Sequence, residues 1–303
     1  MSTRYTTFGC TVLGVCTAVL LMSLLKGAPV QAQAPGVNLT ALYNQVQAQA
    51  STISALQATV NSQAAQITTL KAQTRYISTG PDENGFPATF ITQCNVWVQD
   101  GSGSTVDGGG TPNGLGNLIL GYNEPGNGNP NGDVRTGSHN LIIGFGNSYT
   151  SAGGIVAGYD NTISGELATV IGGGLSLASG PDATVGGGYS NTSSGYASSV
   201  SGGQSNVANG NHSSVTGGDH NTASGDWSSI TGGSYGTASG ADASVTGGED
   251  NTASGEAASV NGGWANQATA PHTSTVSGGS NILAGTDYGW AAGGSGTPTY
   301  HSP

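Results

Sequence analysis

The segment Asn221-Thr222-Ala223-Ser224-Gly225 belongs to a series of repeats that extends from about Asn161 to Gly285. Close copies begin at Asn161, Asn191 and Asn251, and looser copies lie midway between them, so the period is fifteen residues. A branched apolar residue keeps this period along the series. These residues are Ile155, Val170, Val185, Val200, Val215, Ile230, Val245, Val260 and, one residue late, Val276. A fixed period of this kind predicts an architecture of stacked repeats.

Each repeat contains two short segments that favour β-strands. They are exemplified by Ser214-Val215-Thr216 and Thr222-Ala223-Ser224, in which an apolar residue lies between polar neighbours. This alternation predicts strands whose central residue faces inward. Glycines such as Gly217-Gly218 are expected to provide the positive-φ corners. One turn per repeat, here called a rung, would stack Val on Val and Ala on Ala and produce a mainly β fold, a β-solenoid.

The small core of such a rung predicts self-association. A buried Val contributes roughly 1.5–3 kcal/mol, whereas ordering fifteen residues costs on the order of 20 kcal/mol. Backbone hydrogen bonds add only about 1 kcal/mol each. We therefore expect the solenoid to bury a second face against copies of itself.

The pattern Asn-Thr-Ala-Ser-Gly-x-x-Ala/Ser-Ser-Val-x-Gly-Gly resembles the YadA-like head repeats of trimeric autotransporter adhesins. The similarity covers roughly residues 115–290, about half of the chain. It implies a left-handed parallel β-roll in which three chains pack into one rod. That family is anchored by a C-terminal membrane β-barrel. We expect this chain to lack the anchor, because no amphipathic strands of about 9–11 residues precede Pro303.

Residues 1–32 are predicted to be a secretory signal peptide. Arg4 precedes an apolar stretch from Thr11 to Leu25, which is short for a membrane span. Val30-Gln31-Ala32 fits the small-x-small cleavage pattern. The protein is thus expected to be secreted or displayed at a bacterial cell surface, with no membrane span after cleavage. The alternative is an uncleaved N-terminal anchor.

Residues 38–78 are predicted to form a coiled-coil stalk. Apolar residues recur at spacings of three and four over more than five heptads, and the helix would be about 60 Å long. β-branched residues at the a positions and Leu at the d positions favour a two-stranded coiled coil. Gln49 and Gln63 at d positions interrupt this apolar seam and weaken that inference. The head repeats favour three chains, so we expect a trimer. The seam positions are Leu39, Leu42, Val46, Gln49, Ile53, Leu56, Val60, Gln63, Ile67, Leu70, Thr74 and Ile77.

Three further segments complete the domain prediction. Residues 79–137 are expected to hold a strand from Phe90 to Val98, a Gly-rich loop and a first cap rung. Residues 138–290 are assigned to the head repeats and residues 291–303 to a frayed tail. Cys94 would remain after signal cleavage and is expected to be free and buried, because three identical thiols cannot all pair with one another.

Composition argues against an ordinary globular enzyme, since only 7% of residues are charged and 54 are glycine. The formal charge is −11 and no Lys or Arg follows Arg135, so no nucleic-acid-binding surface is expected. His212, Asp219, His220 and Asp226 are close in sequence, but Asp and His are common in turns. We therefore expect no catalytic residue, metal site or cofactor.

Two exposed features are candidates for binding. Tyr159, Tyr189, Tyr235 and Trp264 fall near the turn before the repeat asparagine, where they could anchor a glycan or a protein, or pack across a trimer interface. Thr and Ser would also stack in rows about 4.8 Å apart. Such rows resemble the ice-binding face of some β-solenoid antifreeze proteins.

The sequence therefore favours an adhesin-like, secreted or cell-surface homotrimer that contacts an extracellular protein or glycan. The alternative is a solenoid that binds ice or a polysaccharide through its hydroxyl rows. An enzyme on a fibre scaffold would instead require an inter-subunit cluster of carboxylates, drawn from Asp182, Asp226, Asp242 and Glu256.

Overall fold

A computed structural model of the 303-residue chain describes residues 38–105, 111–126, 133–294 and 299–301. The chain divides into two compact units, with the boundary between Asn95 and Val96. The predicted signal peptide, with Cys10 and Cys16, lies outside the described residues. The described chain is mainly β, with one α-helix that precedes a parallel β-solenoid in sequence.

The helix of the first unit, α1, spans Leu39–Gln73. Asn38 caps its start, because its side chain accepts hydrogen bonds from the backbone N–H groups of Thr40 and Ala41, both at 3.1 Å. No residue of α1 is buried within the chain, and the apolar seam residues are exposed apart from Val46, which is half-buried. Among the described residues, no helix combines the length and apolar character needed to span a membrane.

A β-hairpin follows α1. Strands β1 (Ile77–Pro81) and β2 (Pro87–Ile91) pair antiparallel. The Asp82 side chain closes the turn between them by accepting the backbone N–H groups of Asn84 at 2.9 Å and Phe86 at 2.8 Å. Ile77, expected to be the last seam position of the helix, therefore lies in a strand.

The predicted strand from Phe90 to Val98 is wrong beyond Ile91. Gln93 turns the chain with a left-handed φ of 60°, and the segment from Thr92 to Val98 belongs to no strand of the described chain. Alternating apolar residues are present, but no neighbouring strand pairs with them. Cys94 is free, as predicted, yet exposed rather than buried.

The second unit is a parallel β-solenoid of about ten rungs, in which each rung adds a short strand to each of two sheets. The valine sheet consists of β3 (Leu118–Leu120), β4 (Leu141–Phe145), β6 (Ile155–Tyr159), β8 (Thr169–Val170), β10 (Thr184–Val185), β12 (Ser199–Val200), β14 (Ser214–Val215), β16 (Ser229–Ile230), β18 (Ser244–Val245), β20 (Ser259–Val260), β22 (Thr275–Val276), β24 (Trp290–Ala292) and β25 (Thr299–His301). The alanine sheet consists of β5 (Ser148–Tyr149), β7 (Thr162–Ile163), β9 (Leu177–Ala178), β11 (Thr192–Ser193), β13 (Val207–Ala208), β15 (Thr222–Ala223), β17 (Thr237–Ala238), β19 (Thr252–Ala253), β21 (Gln267–Ala268) and β23 (Leu283–Ala284).

The core lies between the two sheets and is one side chain deep on each. Val215 in the valine sheet and Ala223 in the alanine sheet are 1% and 0% exposed. Their strand neighbours Ser214 and Thr222 are only half-buried. The predicted alternation, with the apolar residue facing inward, is therefore confirmed.

Four rungs depart from the period of fifteen, and the first two lie at the start of the solenoid, where Leu118 pairs with Leu141 and Ile142 with Val156. Val156 pairs with Val170, which makes a rung of fourteen, and Val260 pairs with Val276, which makes one of sixteen. The shorter rung shows that the assignment of Ile155 to the inward column is wrong. Ile155 faces outward and is 38% exposed, while Val156 is buried.

A column of buried asparagine side chains joins the rungs. Asn206 Nδ2 donates to the carbonyl oxygens of Gly202 at 3.0 Å and Gly218 at 2.9 Å, and its Oδ1 accepts the backbone N–H of Asn221 at 3.0 Å. One amide thus satisfies three backbone groups at a corner without water. The column contains Asn161, Asn191, Asn206, Asn221, Asn251 and Asn266, all with 0% exposure.

The asparagine column tolerates single interruptions. Ser176 occupies one position and accepts the backbone N–H of Asn191 through its hydroxyl at 3.2 Å. Gly236 occupies another and donates its backbone N–H to Asn221 Oδ1 at 2.8 Å. Intact asparagines lie on both sides of each interruption, so the neighbouring rungs stay in register.

Most left-handed corners are not glycines, contrary to expectation. A typical rung has one glycine with positive φ, such as Gly218 at 90°, and two non-glycine residues, such as His220 at 56° and Trp227 at 55°. The backbone N–H of Trp227 donates to Asn211 of the preceding rung at 2.8 Å, and that of His220 donates to Gln204 at 3.0 Å. These bonds offset the roughly 1–2 kcal/mol that a left-handed conformation costs an L-residue.

The prediction of a frayed tail at residues 291–303 is wrong for its described part. Strand β24 pairs parallel with β22, and β25 pairs antiparallel with β24, so Trp290 lies opposite His301. The returning strand covers the exposed backbone edge of the last rung, which otherwise offers a template for further pairing.

Replacing Asn206 with Ala should lower the free energy of unfolding by about 3 kcal/mol, because three hydrogen bonds of about 1 kcal/mol each are lost. The control is Asn209→Ala, an exposed position three residues later in the same rung, where a change within about 0.5 kcal/mol is expected. Chemical denaturation followed by circular dichroism measures both. Equal losses for the two variants would contradict a special role for the buried column.

Candidate binding surfaces

The four aromatic residues predicted as binding candidates lie along one edge of the solenoid. Tyr159, Tyr189 and Trp264 share a rung position that forms a line of single parallel bridges. Tyr235 occupies the next position, a left-handed corner with φ of 56°. All four are 37–52% exposed. At about 4.8 Å per rung, Tyr189 and Trp264 are roughly 24 Å apart, so the four do not converge on one site.

Tyr159 packs on its own chain. Its ring stacks on that of Phe145, with centroids 5.8 Å apart and planes inclined by 16°. The ring also lies directly over Gly174, where a Cβ atom would collide with it. The absence of a side chain at Gly174 thus leaves space for the Tyr159 ring. This packing accounts for Tyr159 without a ligand.

Tyr235 belongs to a mixed aromatic and acidic group. Its ring stacks on His220 with centroids 5.0 Å apart, and His220 Nδ1 lies 3.0 Å from Asp219 Oδ1. Glu249 and Asp250 occupy the rung between Tyr235 and Trp264. The group is open to solvent, since the side chains of Asp219 and His220 are 45% and 44% exposed.

A second aromatic cluster lies at a different corner and was not predicted. The rings of His212 and Trp227 stack with centroids 5.5 Å apart and planes inclined by 9°, and Tyr196 meets His212 edge-on at 5.3 Å. Trp227 is 60% exposed. His212 and Trp227 are fifteen residues apart and Tyr196 is sixteen before His212, so the period itself contains the signal for this cluster.

The outer faces of both sheets carry hydroxyl rows. In the alanine sheet, Thr222, Thr237 and Thr252 lie in register on consecutive rungs. Ser224, Ser239 and Ser254 follow them two residues later in the chain. The predicted stacking of Thr and Ser is therefore confirmed, although Val207 and Gln267 limit this regular block to three rungs.

The outer face of the valine sheet changes from apolar to polar along the solenoid. In the later rungs its outward positions hold residues such as Ser214 and Thr216. In the first rungs, the equivalent positions hold large apolar residues that are 38–60% exposed. These are Leu118, Leu120, Ile143, Ile155 and Ile171. An exposed apolar patch of this kind is a candidate surface for contact with another molecule.

A partly buried Asp–His pair lies beside a cavity of about 420 Å³ near the start of the second unit. His139 Nε2 is 3.3 Å from Asp100 Oδ1 and accepts the backbone N–H of Asp100 at 3.3 Å. The pKa of Asp100 lies below its ordinary value, chiefly because the side chain and backbone N–H of Ser102 hydrogen-bond its carboxylate. His139 and Asn113 lower this pKa further, while desolvation opposes them.

The carboxylates considered for catalysis lie along one corner without pairing. Asp182 and Asp242 hold left-handed positions, and Asp226 and Glu256 immediately precede such positions. Asp226 Oδ1 accepts the backbone N–H of Asn211 at 2.9 Å, whereas Glu256 lies 3.4 Å from His272 Nδ1. Among the residues that the structure describes, no group of three or more His, Cys, Asp or Glu side chains is placed to hold a metal ion.

The sequence matches no protein-family model and no curated protein.

Acidification should open the segment around Asp100 below about pH 4. A group whose pKa is lowered on folding adds stability above its unfolded pKa, here about 3.9, and this stability is lost as the pH falls through the folded pKa. Hydrogen exchange measured by mass spectrometry, corrected for the intrinsic pH dependence, should show reduced protection of residues 99–105 between about pH 4 and 2.

Asp100→Asn is the matched variant for this experiment. It should show reduced protection of the same segment already at pH 7, with little further loss on acidification. Protection of the native segment that stays constant down to pH 2 would contradict the structural role assigned to the Asp100 carboxylate.

Proposed function

We propose that this chain is a secreted or cell-surface structural protein that self-assembles as a homotrimer and uses its solenoid for adhesion. The observation that carries the proposal is the absence of any buried residue in the 35-residue helix α1, despite its regular apolar seam. The described part of the chain provides no covering for that seam. Identical helices from other copies would cover it, since the seam positions of three parallel helices face one another.

The seam exposes large side chains at both ends of the helix. Leu42, Leu56 and Leu70 occupy the same heptad position and are 45%, 59% and 57% exposed. Burial of one Leu contributes roughly 1.5–3 kcal/mol, so three copies of a seam of this length gain enough to associate. The exposed face between these positions is rich in Gln, Ala, Ser and Thr, which suits a solvated outer surface.

The apolar patch on the first rungs of the valine sheet is a second surface suited to self-association. It consists of Leu118, Leu120, Ile143, Ile155 and Ile171, and it ends where Ser and Thr replace these residues. The restriction of the patch to the first rungs leaves the remaining outer faces free for external contacts. Resemblance to adhesin head repeats and the predicted signal peptide support the extracellular assignment.

Light scattering after size exclusion should give a mass of three chains for the protein from residue 33 onward. Leu56→Glu combined with Leu70→Glu should reduce this mass to one chain, because six carboxylates would be brought together in the seam. The control, Ala58→Glu with Ala72→Glu, adds the same charge on the outer helical face and should leave the trimer intact.

Two results would reject this assembly. One is a single-chain mass for the native protein at micromolar concentration. The other is an equal loss of assembly in the seam and control variants, since that would indicate general charge repulsion rather than packing of the seam.

A second candidate function is binding to ice or to a polysaccharide surface through the alanine sheet. The specific observation is the in-register block in which Thr222, Thr237 and Thr252 form one row and Ser224, Ser239 and Ser254 form the next. Rows at about 4.8 Å provide a flat, regularly spaced set of hydroxyl groups. Such a set could order water or sugar hydroxyls along the face.

Inhibition of ice recrystallisation tests this second candidate. Thr237→Lys should weaken the inhibition at least tenfold, because it places a charge in the centre of the row. Thr231→Lys, on the outer face of the valine sheet, should leave it unchanged. The ice-binding hypothesis is rejected if the native protein shows neither thermal hysteresis nor inhibition of ice recrystallisation.

A further inference from the structure

The corner that carries Trp227 has one aromatic face available to a ligand. His212, on the preceding rung, covers one side of the indole with nearly parallel planes 5.5 Å apart at their centroids. The other side of the indole is therefore turned toward the following rung. There the equivalent corner residue is Asp242, which is too small to cover an indole.

A shelf of small residues continues from Trp227 along the solenoid. Ala241 and Asp242 occupy the next rung and Ala257 the one after it, all exposed. The shelf ends at His272, which lies 3.4 Å from the carboxylate of Glu256. Three rungs separate Trp227 from His272, so the shelf is about 14 Å long at ~4.8 Å per rung. That length accommodates two linked sugar rings.

Backbone donors line the same shelf. On the two rungs before Asp226, a side chain of the next rung caps the backbone N–H group at this corner. Asn211 Oδ1 accepts the N–H of Tyr196 at 3.1 Å, and Asp226 Oδ1 accepts that of Asn211 at 2.9 Å. The pattern stops at Trp227, because Ala241 has no side-chain oxygen and Glu256 lies against His272. In the described part of the chain, the N–H groups of Asp226 and Ala241 consequently have no protein acceptor.

These groups together define the chemistry of a ligand. An open indole face suits a flat, partly apolar surface, the free N–H groups suit oxygen acceptors, and the Asp242 carboxylate suits hydroxyl donors. An anionic ligand is disfavoured, because the chain has a formal charge of −11 and no Lys or Arg after Arg135. A cation would suit the indole and the carboxylate but would be repelled by the two N–H donors.

We infer that the corner from Trp227 to His272 is a binding site for uncharged oligosaccharides, with a pyranose ring packed on the free face of the Trp227 indole. The site is built within a single chain and needs no partner subunit. It gives the proposed adhesive function a ligand class but does not depend on trimer formation. A monomeric seam variant would therefore retain binding at each site.

Affinity electrophoresis in native gels containing hydroxyethylcellulose, galactomannan or soluble starch tests the site. At least one of these uncharged polysaccharides should retard the native protein. Trp227→Ala should raise the apparent Kd at least tenfold, and Asp242→Ala at least threefold. Ala is already present at the equivalent corner positions 197 and 257 with the same left-handed backbone, so Trp227→Ala is compatible with the fold.

Leu167→Ala is the matched control, because Leu167 is 45% exposed and holds the equivalent left-handed corner four rungs before Trp227. It should bind as the native protein does, and circular dichroism should show all three variants folded. The proposal is overturned if none of the three polysaccharides retards the protein, or if Trp227→Ala and Leu167→Ala lose binding equally. It is also overturned if tetramethylammonium, but no oligosaccharide, changes the tryptophan fluorescence of the native protein and not that of Trp227→Ala, since that would identify a cation site.

Discussion

A typical rung closes fifteen residues around a core of one Val and one or two small residues, and the asparagine at the corner beside that core is inaccessible to solvent. Backbone carbonyl and N–H groups at this corner must be satisfied by protein atoms. The asparagine amide does this for two carbonyls and one N–H at once, as Asn206 does for Gly202, Gly218 and Asn221. A neutral amide meets this requirement without burying a charge, whereas aspartate would direct two acceptors at carbonyl oxygens.

The sequence predicted the parts of the fold that depend on period. Alternation in Ser-Val-Thr and Thr-Ala-Ser identified the inward residues, and Val215 and Ala223 are buried as expected. The one-residue error at Ile155 arose because a rung of fourteen residues shifts which apolar residue faces inward. The prediction of a strand beyond Ile91 was wrong because alternating apolar residues form a strand only where a neighbouring strand pairs with them.

Other features of the fold could not be predicted from residue type alone. A repeated asparagine is compatible with an exposed turn residue and with a member of a buried hydrogen-bonded column. Only the geometry of the corner distinguishes the two. Left-handed corners were assigned to glycine, but hydrogen bonds between rungs hold residues as large as Trp227 and Leu167 in that conformation. The cluster of Tyr196, His212 and Trp227 follows from the period, yet it requires knowing that adjacent rungs bring these positions within ring contact.

The direction of the hydrogen bonds between rungs has a mechanical consequence. These bonds run along the solenoid axis and tie each rung only to its neighbours, so a force applied along the axis to one end loads the outermost rung first. Detaching one rung releases fifteen residues, or about 50 Å of extended chain, while the rungs behind it keep their own asparagine bonds. A solenoid held by its end would thus lengthen one rung at a time, dissipating work in equal steps rather than failing as a whole.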